Sequence, residues 1–274
     1  MKKLITVMAA LLLTGLVATV ASASEDEKIA AYFYAPYADT AAVKKKLEEG
    51  GFEVVATYSP TKKSETVVVT CPGLKKLASK PGRGFGAVMR VLVDDEHRRV
   101  AYTNPVYFEK AFLQDDYDPA IVSKVRQKLV AALGKDGESP DAQEADDLAG
   151  YHFMMGMPYY EDVYELAEGK NEELLGKLEG YKGGKMVVFT LDLGNGSTLV
   201  GVDLDRRTKK FTKKIGTQNA EILPYTILIE DGKATALAAK YYLAVSYPLL
   251  SMGEFMTIAT VPGAIEKELE KPFR

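Results

Sequence analysis

One cysteine, two histidines and no tryptophan leave this chain of 274 residues few of the groups that most site chemistry uses. Cys71 is the single thiol, so no intrachain disulfide can form and burial alone must hold the fold. His97 and His152 lie far apart in sequence, which gives little support to a histidine-based metal centre or a Ser–His–Asp triad. An excess of one charge is also missing. With 35 Lys+Arg against 38 Asp+Glu, the net charge of −3 gives no reason to expect nucleic acid or an anionic membrane as partner. A long apolar run occurs once, at the start.

That run is Leu4 to Val20, preceded by Lys2 and Lys3 and followed by Ala21-Ser22-Ala23. A short basic start, an apolar middle and small residues at −3 and −1 describe a secretory signal peptide, residues 1–23, cleaved before the polar SEDEK. The reading implies a periplasmic or secreted protein with no stable membrane insertion once the leader is removed. Taking Lys2 and Lys3 from the 35 basic residues leaves 33 against 38 acids, a mature balance of about −5. The remaining length is enough for two domains, each with its own core.

The body of the chain alternates short strands and short helices. The spacing predicts a strand at 29–34 and a helix over TAAVKKKLEE with Asp39 as N-cap and Ala42, Val43 and Leu47 as its buried stripe. Further strands are expected at 52–58 and at Thr66 to Thr70, where an unbroken β-branched run suits a strand covered on both faces. LKKLASK makes a short helix, PGRGFG a flexible joint, and 87–103 a hairpin around the turn Asp94–His97. Asn104-Pro105 and Asp118-Pro119 each open a helix with a cap and a first-turn proline. Residues 135–150, acidic, small and aperiodic, read as a linker.

Beyond the linker the pattern returns. A strand is expected at 151–157, a helical insertion at 159–168, a helix over EELLGKLEG, and strands at 185–193 and 197–205 joined by Gly194-Asn195-Gly196. PYTILIEDGKATALAAKYYLAVSYPLL at 224–250 parallels AVMRVLVDDEHRRVAYTNPVYFEKAFL at 87–113: strand, acidic turn, strand, helix with paired aromatics. The expectation is a duplicated α+β unit, residues 29–134 and 151–274. Each would be an antiparallel sheet with helices on one face, and together they would form a monomer with an internal pseudo-dimer.

The run VVVTCPGLKKLASKPGRGFGAVMRVLVDDEHRRVAYTNPVYF, residues 67–108, resembles the domain of unknown function numbered 302. That family strings together a VVVxCNP-like strand end, a short helix, a P-x-x-G-like approach, an RVLVYED-like hairpin and an NP turn in this order. The resemblance covers 30–134 well and 151–272 poorly, and it departs at Cys71-Pro72, where an intervening Asn is common. It implies a small α+β fold similar to the TATA-binding-protein fold, often paired, and it implies no reaction.

No catalytic motif is present, and no cofactor is expected. The aromatic helices, with Tyr107, Phe108, Tyr241 and Tyr242, are candidates to line a cleft between the two units, with Cys71, Arg90 and Asn104 as further candidate ligand-binding residues. The preferred reading is a non-catalytic exported protein that binds a small apolar ligand or a protein partner there; packing of these rings against one another is the plain alternative. A second functional class rests on soft ligands. Cys71 ends a strand ahead of a helix N-terminus, a place that can activate a thiol. His152 and Met154 would share one face of a strand and suit cuprous copper, whereas Met155 and Met157 would take the other.

Overall fold

The computed structural model describes residues 28–274; the expected leader, residues 1–23, lies outside them. The N-terminal half runs β1 Lys28–Ile29, β2 Tyr32–Ala35, α1 Thr40–Glu49, β3 Glu53–Thr61, β4 Ser64–Thr70, α2 Pro72–Ala78, β5 Met89–Asp94, β6 Arg99–Thr103, α3 Pro105–Leu113, α4 Pro119–Leu133, β7 Gly137–Glu138 and β8 Gln143–Glu144. The C-terminal half runs β9 Tyr164–Glu168, α5 Asn171–Gly180, β10 Val187–Asp192, β11 Thr198–Val202, α6 Thr212–Ile215, β12 Tyr225–Glu230, β13 Lys233–Ala236, α7 Ala239–Ser246, α8 Met252–Thr257 and α9 Val261–Leu269. The fold is α+β, with antiparallel pairing throughout both sheets.

The caps legible in the sequence start their helices. Asp39 accepts from Ala42 N at 2.8 Å, Asn104 from Val106 N at 3.1 Å, and Asp118 from Ala120 N at 2.9 Å and Ile121 N at 3.1 Å. Each satisfies an amide that the first helical turn leaves without a partner.

The N-terminal sheet has the order β3-β4-β5-β6-β2-β7, and the C-terminal sheet β10-β11-β12-β13-β9. Aligning β2 with β9, β3 with β10 and so on makes the five-strand order the same in both. Alternation sends Phe33, Val67, Val69, Met89, Val91, Val93, Val100 and Tyr102 to one face, against Val43 and Leu47 of α1, Leu74 of α2 and Leu129 and Leu133 of α4. The opposite residues of the same strands, including Tyr32 and Val68, join a second core that takes in most of the C-terminal half. The β-branched run of β4 is therefore covered on both faces, as its composition demands.

Four expectations fail. Residues 151–157 form no strand; Gly156 takes φ +82° and Met155 is 93% exposed. The strand is β9, inside the stretch expected as a helix. Its Glu-rich composition favours a helix, but the free edge of β13 supplies a hydrogen-bond ladder and local propensity yields to it. Residues 135–150 are laid onto the fold: β7 adds to β2, β8 pairs with β1, and Ala145 and Leu148 are buried. PGRGFG is no flexible joint either. Gly82 N donates to Glu230 Oε2 at 2.6 Å, Tyr160 Oη donates to Gly82 O at 2.6 Å, and Arg83 reaches both Asp116 at 3.0 Å and Glu161 at 3.1 Å. Gly84 lies so close to Leu228 that a Cβ there would overlap the leucine methyl.

Candidate functional site

Tyr107 is the third residue of α3 and Tyr241 the third of α7. Tyr107 Oη donates to Val245 O at 2.9 Å, and Tyr241 Oη donates to Ala111 O at 3.2 Å. Val245 and Ala111 are each the seventh residue of their helix. The helices thus lie antiparallel and exchange the same contact in both directions. The acceptors are carbonyls of a last helical turn, which have no intrahelical donor, so each tyrosine caps its neighbour's C-terminus. Burial pushes both hydroxyls well above the usual tyrosine range, keeping them protonated donors.

The rings fill the seam around these bonds. Phe108 packs on Tyr32 at 5.5 Å and Phe112 on Tyr242 at 6.3 Å, while Tyr160 lies 5.9 Å from Phe112 and 6.0 Å from Tyr241. Tyr107, Phe108, Tyr241 and Tyr242 are all buried. The structure brings them together, as expected, but against one another.

Arg90 and Asn104 also serve the fold. Arg90 is buried on β5 and donates from Nη2 to Pro224 O at 3.1 Å across the two halves. Asn104 caps α3 and donates to Ala30 O at 2.8 Å. Cys71 is buried in the N-terminal core among Val69, Leu74 and Val125. His152 and Met154 are not on a strand. His152 sits in an exposed loop with its ring 4.4 Å from Tyr159, and Met154 is 46% exposed. Gly156 and Pro158 lie within this loop, and no ladder partner holds it extended, so the face that was to align the two side chains does not form. His97, in its turn, accepts no metal-like company; its Nδ1 is 2.7 Å from Asp94 Oδ2. Among the described residues no group of three or more His, Cys, Asp and Glu is placed to hold a metal ion.

Two concave surfaces are lined by other residues. One cleft of about 650 Å³ opens where the end of β3 and the β3–β4 turn, residues 59–63, face the segment from Arg206 to Thr217. Its walls carry Lys62, Lys63, Arg206, Lys209, Lys210 and Lys213, and a single acid, Glu96. Lys63 is paired with Glu96 at 3.2 Å, and Lys209 with Asp203 at 2.6 Å. Asp203 also accepts from Tyr58 Oη at 2.5 Å, which ties the edge strand β3 to the segment just after β11. Lys62, Arg206, Lys210 and Lys213 form no ion pair among the described residues. The signal in the sequence was a basic, polar loop at 208–219, which says nothing of a cleft by itself; the opposing Lys62-Lys63 lies far away in sequence.

No helix among the described residues is long and apolar enough to cross a membrane. No family model, curated protein or solved structure matches the chain.

Proposed function

We propose that this is an exported, non-catalytic binding protein made of two sibling α+β modules, with its ligand held in the basic cleft between them. The duplication is supported by the shared strand order and by contacts that pair like with like: α3 with α7, and edge strand β3 with edge strand β10. Self-pairing of equivalent elements is what a pseudo-two-fold axis produces. The leader at residues 1–23 supports export.

The observation that carries the binding site is the set of four unpaired cations lining a concavity of a net acidic protein. Concave walls concentrate a field of one sign. Aliphatic lysine stems with Pro60 would cover the apolar part of a guest, and the ammonium and guanidinium heads would meet its phosphate or carboxylate groups. The ligand is therefore a small polyanion, in place of the small apolar ligand or protein partner expected at the tyrosines.

Isothermal titration with pyrophosphate, and separately with citrate, tests the site. Saturable binding of one of them is expected, weakening with added salt and falling about tenfold in a Lys210→Glu, Lys213→Glu variant of unchanged melting temperature. If neither anion binds saturably, or the double variant binds as tightly as the native chain, the reading is wrong.

A further inference from the structure

A second, smaller cavity of about 220 Å³ lies between the halves, and its chemistry is opposite. Tyr32, Tyr34 and Asp141 come from the N-terminal half; Glu221, Tyr247 and Glu254 come from the C-terminal half. Three carboxyl side chains and three tyrosine rings line it, and among the described residues no Lys, Arg or His does.

Glu221 is the informative residue. It is 2% exposed, and its Oε2 is buried with no hydrogen-bond partner. The nearest cation, Arg99, has Nη2 3.9 Å from the other oxygen, Oε1, and spends that donor on Gln218 O at 2.9 Å. A buried carboxyl oxygen without a donor is costly, and the missing donor is what a guest in this cavity could bring. Asp141 is held in place by Ala31 N, 3.2 Å from its Oδ1, and by the Ser139 hydroxyl on the same atom. Glu254 stands at the exposed rim, where it closes the capping box of α8 through Ser251.

We propose that this cavity binds a small primary ammonium compound. The Tyr34 ring already carries the Arg99 guanidinium 4.5 Å from its centre; the rings of Tyr32 and Tyr247 are left to attract a guest cation, and the carboxylates beside them to hold it. The orphaned oxygen of Glu221 decides between kinds of cation. It needs an N–H donor, which a primary ammonium group has and a quaternary one lacks. The volume equals about seven waters, which admits an alkylamine of a few carbons and excludes a bulky polyamine lying wholly inside. The site is separate from the basic cleft and stands or falls without it.

Cation binding must also draw the proton from Glu221. Burial pushes this carboxyl up to about 8; Asp141 and Asp94 add to the rise, and Arg99 opposes it. Tyr32, Tyr34 and Tyr247 are the remaining titratable neighbours. A bound cation favours the ionised form, so affinity should climb as pH rises toward the value of the free protein and then level.

The experiment is calorimetric titration of the full chain with n-butylammonium chloride, with tetramethylammonium chloride and sodium chloride as controls. Butylammonium is expected to bind saturably and at least about tenfold more tightly than tetramethylammonium. Its affinity should fall about tenfold in Glu221→Gln and less in Glu254→Gln, a rim change that spares the interior. The rise with pH should vanish in Glu221→Gln. No saturable butylammonium binding, equal affinity for the two ammonium ions, or an unaffected Glu221→Gln variant would each overturn the assignment.

Discussion

Glu109 has both carboxyl oxygens buried without a partner, beside Gly86 and Leu113 in α3. Burial drives its pKa well above the usual carboxylate range, so it is held as the neutral acid. The unfolded chain loses that proton near the ordinary value while the folded chain keeps it. The stability tied to Glu109 is thus complete below the ordinary range and is lost as pH rises, by at most about 1.4 kcal/mol per pH unit. Glu221 acts in the same sense up to about pH 8. Asp116, held low by Lys80 and Arg83, acts oppositely and loses stability only as pH falls below the ordinary range. Glu109→Gln should therefore flatten the decline of melting temperature as pH rises above the ordinary carboxylate range, relative to the native chain. Parallel curves for the two would show that Glu109 is ionised and paired in solution. None of this is visible in PVYFEKAFL, where a glutamate among apolar residues looks like the solvated side of a helix.

At the scale of elements, the antiparallel α3–α7 pair is the joint of the molecule. Its rings were legible from the paired aromatics in both helices, but the direction of each hydroxyl was not. Tyr107→Phe and Tyr241→Phe keep ring packing and strip one helix-end carbonyl of its donor. Each should lower unfolding free energy by about 1–2 kcal/mol in urea titrations, a range set by leaving a buried acceptor unmet. Because Gln114 Nε2 also donates to Ala111 O at 2.6 Å, the loss at Tyr241 should be the smaller. Stabilities equal to the native chain in both variants would mean that water takes over the capping, and the reciprocal contact would then have no energetic weight. Strand β9 teaches the complementary lesson: a Glu-rich stretch with helical composition becomes a strand because an open sheet edge needs a neighbour.

For the whole molecule, the second core runs without a break from Tyr32 and Val68 through Phe112 to Leu228 and Leu269. Two halves that share a core should not unfold separately. Cys71 offers a clean probe, since it is the one thiol and is buried in the core that belongs to the N-terminal half alone. Its labelling by a thiol reagent should begin at the same urea concentration at which the tyrosine circular dichroism, which both halves contribute, is lost in a single step. Labelling well below that midpoint would reveal independent domains. Fast labelling of native protein without denaturant would instead revive the reactive-thiol reading.

What the sequence alone determined is local: the caps at Asp39, Asn104 and Asp118, the alternating strands, the covered β4, and the return of the hairpin-plus-aromatic-helix pattern at 224–250. These are written within a few residues of one another, where steric preference and periodicity act. Only the tertiary structure decided what faces what. It closed the tyrosine seam that sequence had offered as a pocket, dispersed His152 and Met154 into an exposed loop, and joined Lys62 to Lys210 and Asp141 to Glu221. Those pairings depend on how one sheet docks on another, a choice made by summed burial over the whole interface, to which no single stretch of residues bears witness.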